Sequence, residues 1–328
     1  MQKLTAFFQL IRYKNLLIVA LSQYFIRFSL TETFLPFPAL SKFQFLLFVI
    51  TTILITAAGY IVNDIYDVET DTINKKKHLI IGQIINVKTA VIWYSICNLI
   101  ALAVGIYLSI IIDKPLYSLV FVYCIFFLWR YSKSMKTGFL IGNLHVAILT
   151  ALVFINTALF DIIPHIHYSG NESGMMILKI ILVYAIFSFL LTLIREFIKD
   201  LEDKEGDIAI KAKTVAIVLG DKKTKIISLI LSLFVAAIIL AWQNFQYQII
   251  SLNSIKWDGE VYKSVIIWGT DQFAIIYTGI LQTTILLFVI KLYKAKVKKD
   301  FYFLSQFSKI IMLLGICSIP LFTYFYLL

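Results

Sequence analysis

Hydrophobic residues occur in nine long runs, each close to the ~20 apolar residues that a helix needs to cross a bilayer. The runs cover roughly residues 15–34, 44–63, 90–112, 115–132, 139–161, 175–195, 214–242, 264–290 and 307–327. Arg27 interrupts the first run, and Asp271 lies near the start of the eighth. Asp113-Lys114-Pro115 separates the third from the fourth and predicts a tight turn within a helical hairpin. The pattern predicts an all-α, polytopic membrane protein with about nine transmembrane helices.

Composition agrees with this pattern. Of the 328 residues, 60% are hydrophobic and 15% are charged, and the mean hydropathy is +0.87. Soluble domains average about 45–50% apolar and about 25% charged residues, so a soluble or disordered protein is excluded. The three cysteines lie within apolar runs, which is typical of packed thiols and not of a disulfide scaffold.

The distribution of lysine and arginine predicts the orientation in the membrane. With the N-terminus placed in the cytoplasm, 24 of the 30 basic residues fall on the cytoplasmic side. This is the asymmetry of the positive-inside rule, and it also accounts for the net charge of +11 without a nucleic-acid partner. We therefore expect an integral protein of the cell membrane with a cytoplasmic N-terminus and an external C-terminus. The basic run 291–299 is interpreted as an anchor on anionic lipid headgroups.

Ten of the 19 acidic residues lie in two short stretches, which follow the second and sixth runs on the predicted cytoplasmic side. The aspartates of each stretch have the spacing i, i+3, i+7. At about 100° per residue, such positions share one narrow face of a helix. These positions are Asp64, Asp67 and Asp71 in the first stretch and Asp200, Asp203 and Asp207 in the second. Asn63 lies near the first face and Glu196 near the second.

Two carboxylate stripes of this kind predict a site for Mg²⁺. Like charges on one face repel one another, and a cation between them relieves the repulsion. Hard oxygen ligands select Mg²⁺, which prefers one or two carboxylates together with water and phosphate oxygens. The predicted ligands are Asn63, Asp64, Asp67, Asp71, Asp200, Asp203 and Asp207. Metal ions between the two stripes would bridge a diphosphate, which Arg195, Lys199 and Lys136 on the same side are placed to neutralise.

Together these motifs resemble the UbiA superfamily of intramembrane prenyltransferases. Its first signature, Asn-Asp-x-x-Asp-x-x-x-Asp, is met at residues 63–71, and its second, Asp-x-x-x-Asp, at Asp203 and Asp207. Tyr131, Lys136 and Asn143 resemble the family's diphosphate-binding stretch between helices four and five. The loop after the first motif departs from the family: Lys77-His78 stand where Arg is common, and either side chain would supply the usual cation.

The resemblance implies one transmembrane prenyltransferase domain over residues 1–328. It implies Mg²⁺-dependent transfer of a polyprenyl group from its diphosphate to a lipophilic acceptor, with Asp64, Asp67, Asp71, Asp203 and Asp207 as the catalytic acids. The implied diphosphate-binding residues are Lys136, Tyr131, Arg195, Lys199, Lys77 and Asn143.

The acceptor has two interpretations, and a different class of protein is a third alternative. The stretch 195–214 is most similar to the branch that alkylates geranylgeranylglyceryl phosphate in ether-lipid synthesis. Quinone-forming members, which prenylate 4-hydroxybenzoate or 1,4-dihydroxy-2-naphthoate, share the same acids. An ion-coupled transporter would also carry membrane acids, but the acids here lie at helix exits, and the runs lack the Gly/Pro breaks that carriers favour.

Overall fold

The computed structural model describes residues 2–68, 80–166, 171–253, 256–257, 260–261 and 268–328. Twelve α-helices were found in this part of the chain: α1 Gln2–Leu10, α2 Tyr13–Phe25, α3 Glu32–Phe34, α4 Lys42–Tyr66, α5 Val87–Ile111, α6 Ser118–Lys133, α7 Ile141–Asp161, α8 Asn171–Ala209, α9 Val215–Val218, α10 Gly220–Asn253, α11 Gln272–Lys294 and α12 Lys298–Leu327. A π-helical segment, Ile26–Thr31, joins α2 to α3. Three 3₁₀ turns, Pro115–Tyr117, Met135–Thr137 and Ile163–His165, lie at helix ends. Two short strands, β1 Lys256–Trp257 and β2 Glu260–Val261, pair antiparallel.

The predicted all-α membrane architecture is confirmed. Within the described residues, eight helices are long and apolar enough to cross a membrane. A pair of helices joined at a bend makes a ninth span if the two are counted together. The bent pair joins Leu4–Leu10 to Tyr13–Phe34 at an angle of 56°. The predicted interruption at Arg27 does not end this helix, because the chain continues through the π-helical segment to Phe34.

Two predicted boundaries differ from the structure. The sixth predicted span, 175–195, is part of α8, a single helix of 39 residues that also carries the whole second acidic stretch. The eighth predicted span begins at Gln272 and not at residue 264. Asp271 is the reason, because its side chain accepts a hydrogen bond from the backbone N–H of Ala274 and caps the helix.

Arg27 is satisfied by a buried partner on another helix. Its guanidinium donates to the carboxylate of Asp161 at the end of α7 and to the backbone carbonyl of Leu40. Glu32 forms a second ion pair with it at 3.0 Å. An unpaired charge at this depth would be costly, so these contacts explain how a charged residue is tolerated within an apolar run.

The helices pack around α4 and α8, which contribute to separate parts of the core. Phe45 and Phe48 of α4 meet Phe121 of α6 and Phe160 of α7 in an aromatic cluster. The turn between α5 and α6 is the predicted tight one, with Asp113 in the left-handed region at φ 55°. Outer helix faces carry exposed aliphatic side chains, as expected for surfaces in contact with lipid.

Candidate active site

The first acidic motif lies at the end of α4, where two cations from other parts of the chain reach it. Arg12, in the break between α1 and α2, donates to Asp64 at 2.9 Å. Lys136, in the turn after α6, forms an ion pair with Asp67. The amide nitrogen of Asn63 also donates to Asp67, at 2.6 Å. The predicted members Asp71 and Lys77 lie outside the described residues.

The second acidic motif lies in the last turns of α8, so the predicted helical face is present. Asp200 accepts from the side-chain amide of Asn143 at 3.1 Å and from the backbone N–H of Val215 at 3.3 Å. This carboxylate therefore joins α7 and α9 to α8. Asp203 and Asp207 lie one helical turn apart, close enough to repel each other electrostatically. Asn143 is a predicted diphosphate ligand, but in this structure its side-chain amide donates a hydrogen bond to Asp200.

Folding brings the two motifs together. Asn63 of the first motif and Glu196 and Lys199 of the second acidic stretch line the same cavity, together with Tyr131 of α6. Asp67 is also near enough to Asp207 to act on it electrostatically, although the two residues belong to different helices. We call Asp64, Asp67, Asp203 and Asp207 the acidic cluster.

A cavity of about 250 Å³ extends from the motifs into the helix bundle. On α4 its wall runs from Asn63 at the motif to Thr52, a depth of roughly 16 Å at ~1.5 Å per residue. On α6 it runs from Tyr131 through Leu128 to Phe121. The charged side chains on the cavity include Arg12, Arg195 and Lys199 near the motifs, whereas apolar side chains such as Leu128 and Phe121 line much of the deeper wall. Such a shape fits a molecule with an anionic head and a hydrocarbon tail.

Four basic residues lie on this cavity and form what we call the cationic cluster: Arg12, Arg195, Lys199 and Lys309. Arg195 pairs with its neighbour Glu196 at 2.7 Å, and Glu196 is itself buried on the cavity wall. The charge of Lys199 interacts with Glu196 and Asp203. Lys199 is therefore the member of the cationic cluster that is near the acidic cluster.

The donor set fits a magnesium ion. Among the described residues, no group of three His, Cys, Asp or Glu side chains converges on one point. Mg²⁺ does not require such a group, because it usually binds one or two carboxylates and completes its shell with water and phosphate oxygens. Asp203 and Asp207 supply two neighbouring carboxylates, and Asp67 lies opposite with Asn63 beside it. Every donor is a hard oxygen, which favours Mg²⁺ over softer metals.

The sequence missed three residues of this site. In the sequence, Arg12 and Lys309 contribute only to the cytoplasmic count of basic residues, and Glu196 is only a neighbour of the second stripe. A signal was available for Lys309, because it lies inside the ninth apolar run, where an ionisable residue indicates a functional role. Of the predicted diphosphate ligands, Tyr131, Arg195 and Lys199 line the cavity, whereas Lys136 and Asn143 bind motif aspartates.

Comparison with known proteins gives a consistent result. The profile of the UbiA prenyltransferase family matches residues 24–255. The chain is 34% identical over 178 residues to the digeranylgeranylglyceryl phosphate synthase of Sulfolobus acidocaldarius, covering 54% of this chain and 58% of that protein. It is 32% identical over 197 residues to the synthase of the same name from Methanobrevibacter smithii, covering 60% and 65%. These alignments thus span less than two thirds of either relative.

A third synthase of this name, from Methanosphaera stadtmanae, is 29% identical over 266 residues, covering 80% of this chain and 82% of the relative.

Two solved structures share the fold. A digeranylgeranylglyceryl phosphate synthase superimposes with a TM-score of 0.63 at 22% identity, over 98% of this chain and 99% of that one. A UbiA homologue from Aeropyrum pernix K1 superimposes with a TM-score of 0.60 at 16% identity, over 92% and 97% of the two chains. At these identities the likeness applies to the fold.

Proposed function

The chain belongs to the UbiA prenyltransferase family, and we propose that it transfers a polyprenyl group from its diphosphate to geranylgeranylglyceryl phosphate within the membrane, with Mg²⁺ as cofactor. The product is a diether lipid. The whole of residues 1–328 forms one catalytic unit in this proposal.

The observation that carries the proposal is the meeting of two acidic motifs at the mouth of one amphipathic cavity. Asn63 of the first motif lies on α4, whereas Glu196 and Lys199 of the second acidic stretch lie on α8, yet all three line one cavity. The apolar walls of this cavity include Leu128 and Phe121. A prenyl diphosphate has this same polarity, with its charge at one end and its hydrocarbon chain at the other.

Each part of the site has a defined task in the transfer. Asp67, Asp203 and Asp207 would hold the metal with Asn63, and Mg²⁺ held there would supply positive charge against the negative charge that develops on the departing diphosphate. Lys136 donates to the same diphosphate as a point charge.

The bond changes follow from this arrangement. The bond between the first prenyl carbon and the diphosphate oxygen breaks, and the diphosphate keeps the electron pair. The glycerol hydroxyl of the acceptor then forms a new C–O bond to that carbon, and its proton passes to the departed diphosphate. The apolar wall around Leu128 keeps water from the allylic cation, which would otherwise be hydrolysed.

The relatives support the choice of acceptor. All three synthases described above are named for digeranylgeranylglyceryl phosphate, and none of those names refers to an aromatic acceptor. The excess of cations on the cavity also favours an acceptor that carries a phosphate. We propose that both motifs face the cytoplasm, because the positive-inside asymmetry places the N-terminus there and the C-terminus outside.

An acceptor comparison tests the proposal. Purified protein in detergent receives Mg²⁺ and labelled geranylgeranyl diphosphate, with geranylgeranylglyceryl phosphate in one reaction and 4-hydroxybenzoate or 1,4-dihydroxy-2-naphthoate in the others. We expect a labelled diether in the first reaction alone. Product only with an aromatic acceptor would assign the protein to quinone synthesis, and no product in any reaction would overturn prenyl transfer.

A further inference from the structure

We infer that the cationic cluster forms a second anion-binding subsite, adjacent to the acidic cluster, that holds the phosphate of the lipid acceptor, with Lys309 as its specificity-determining residue. The inference rests on the proposed function and adds to it the chemical group that the cavity recognises. Neither the acidic motifs nor their spacing assigns a role to Lys309.

Three separate elements bring the cationic cluster together. Arg12 comes from the break between α1 and α2, Arg195 and Lys199 from α8, and Lys309 from α12. All four line the same cavity. The charges of Arg12, Arg195 and Lys199 all act on Lys309. Four cations from distant parts of the sequence would not gather in this way for solvation alone, because each could reach water more easily elsewhere.

The cluster holds more positive charge than its own carboxylates neutralise. Arg12 pairs with Asp64 and Arg195 with Glu196. Lys309 has no carboxylate within ion-pair distance in the described part of the chain, although the charge of Glu202 acts on it. An anion between these cations would relieve their mutual repulsion.

A donor is available for such an anion. The Nε of Arg195 is buried, and among the described residues it has no hydrogen-bond acceptor. A buried N–H without an acceptor is costly, and an oxygen of a ligand would satisfy it. A phosphate monoester carries about −1.5 to −2 charges and three acceptor oxygens, so one group can bind Arg195 and Lys309 together.

The wall beside Lys309 fits the rest of the acceptor. Met312 lies one helical turn further along α12 and also lines the cavity, as do Ile18 and Val19 of α2. This apolar surface and the cationic cluster line the same cavity. An anionic lipid is therefore matched along its length: phosphate at the cations, hydrocarbon against α2 and α12.

The donor diphosphate is assigned to the other cluster for an electrostatic reason. Asp67, Asp203 and Asp207 repel a phosphate unless a metal accompanies it, whereas the cationic cluster attracts a phosphate without any metal. The two phosphate-bearing substrates are thereby separated by their metal requirement. The charges of both Glu196 and Asp203 act on Lys199. Lys199 therefore lies where the cationic cluster meets the acidic cluster, and the two phosphate-bearing ligands would bind on either side of it.

A kinetic comparison of Lys309→Gln with wild type tests the subsite. With geranylgeranylglyceryl phosphate we expect the KM to rise about ten-fold or more, which corresponds to losing one charge-assisted hydrogen bond, with kcat nearly unchanged. The KM for geranylgeranyl diphosphate should stay constant. With geranylgeranylglycerol, which lacks the phosphate, variant and wild type should be equally active, and Lys309→Arg should restore most of the affinity for the phosphorylated acceptor.

The control is Lys299→Gln, which removes one positive charge from the exposed start of the same helix, roughly 15 Å away. It should leave both KM values unchanged. An equal loss of Lys309→Gln activity on the two acceptors, or a raised KM for the donor, would overturn the inference.

A binding measurement separates this inference from the proposed function. Thermal stabilisation is recorded for protein in EDTA, without donor, on addition of geranylgeranylglyceryl phosphate. We expect wild type to be stabilised and Lys309→Gln not. If wild type is stabilised but transfers no prenyl group, the proposed function is wrong and the subsite stands. If it makes the diether but geranylgeranyl diphosphate in EDTA stabilises it in the same Lys309-dependent way, the subsite belongs to the donor and this inference is wrong.

Discussion

Lys136 donates to the carboxylate of Asp67 across 69 positions of sequence and so connects the turn after α6 to the end of α4. Both side chains are largely buried, at 14% and 19% exposure. The contact keeps an ammonium group beside the first acidic motif. We expect Lys136 to exchange the Asp67 oxygen for a phosphate oxygen when the donor binds.

Replacing Lys136 by alanine should impair use of the donor. We expect kcat/KM for geranylgeranyl diphosphate to fall about 10²-fold, because one positioned donor to the leaving diphosphate is lost. The KM for the acceptor should change little. The matched control is Lys133→Ala, since Lys133 is exposed and its ammonium lies over the ring of Trp129. If both variants lost activity equally, a general effect of positive charge in this turn would explain the result better than the proposed contact.

The acidic cluster should be essential for turnover but not for folding. Asp67→Asn and Asp207→Asn keep the side-chain volume and remove one negative charge each, so we expect turnover to fall by about 10²–10³-fold or more while the protein still inserts in the membrane. Turnover and melting temperature are measured on the same preparations. Glu205→Gln is the control, because the Glu205 side chain is 81% exposed and its nearest cation, Lys298, lies 3.9 Å away. Activity that survives the loss of both aspartates would contradict the metal-bridging role.

The sequence predicted the spans and the carboxylate stripe of α8 because both depend on local spacing. Run length predicts a membrane helix, and the i, i+3, i+7 spacing places Asp200, Asp203 and Asp207 on one face wherever the helix lies. The helical geometry at Asp71 stays a prediction, because that residue lies outside the described part of the chain.

The site residues that the sequence did not predict, such as Arg12, reach the site through contacts between elements that are distant in the sequence. Nothing in the surroundings of Arg12 in the sequence indicates that it reaches Asp64, 52 positions away. The pairing of Arg27 with Asp161 joins positions that are 134 apart. Positive-inside counting does not distinguish such residues, since topology alone already explains a cation on the cytoplasmic side.

The ion pair between Arg27 and Asp161 should contribute to stability and not to chemistry. It is buried, and it also ties Leu40, in the segment before α4, to the end of α7. Asp161→Ala removes one partner and leaves a buried guanidinium with less compensation, so we expect a loss of about 3–5 kcal/mol in the free energy of unfolding. Reversible unfolding in detergent measures it. Glu32→Gln should cost clearly less, because the Glu32 side chain is 25% exposed. Equal losses in the two variants would mean that Asp161 is not the principal partner of Arg27.

Phe121 should limit the length of the prenyl chain. Its ring is 2% exposed at the apolar end of the cavity, against Phe160 at 5.1 Å between centroids. Phe121→Leu opens this end, so the ratio of kcat/KM for a donor longer than geranylgeranyl to that for geranylgeranyl diphosphate should rise. Gly105→Ala should lower the same ratio, because its Cβ would collide with the Phe121 ring.

Gly315→Ala is the control for this prediction, since nothing lies within 4 Å of its added Cβ. It should leave the ratio unchanged. If Phe121→Leu and Gly105→Ala moved the ratio in the same direction, the prenyl chain would not end at Phe121.

The most direct test of the whole account is the metal dependence of donor binding. Calorimetry with a non-reactive thiodiphosphate analogue of geranylgeranyl diphosphate is carried out on wild type, Asp67→Asn and Asp207→Asn, with Mg²⁺ and with EDTA. We predict binding by wild type in Mg²⁺, little binding in EDTA, and weakened Mg²⁺-dependent binding in both variants, since each would remove a proposed ligand from a different motif. Equal binding by wild type in Mg²⁺ and EDTA would contradict it.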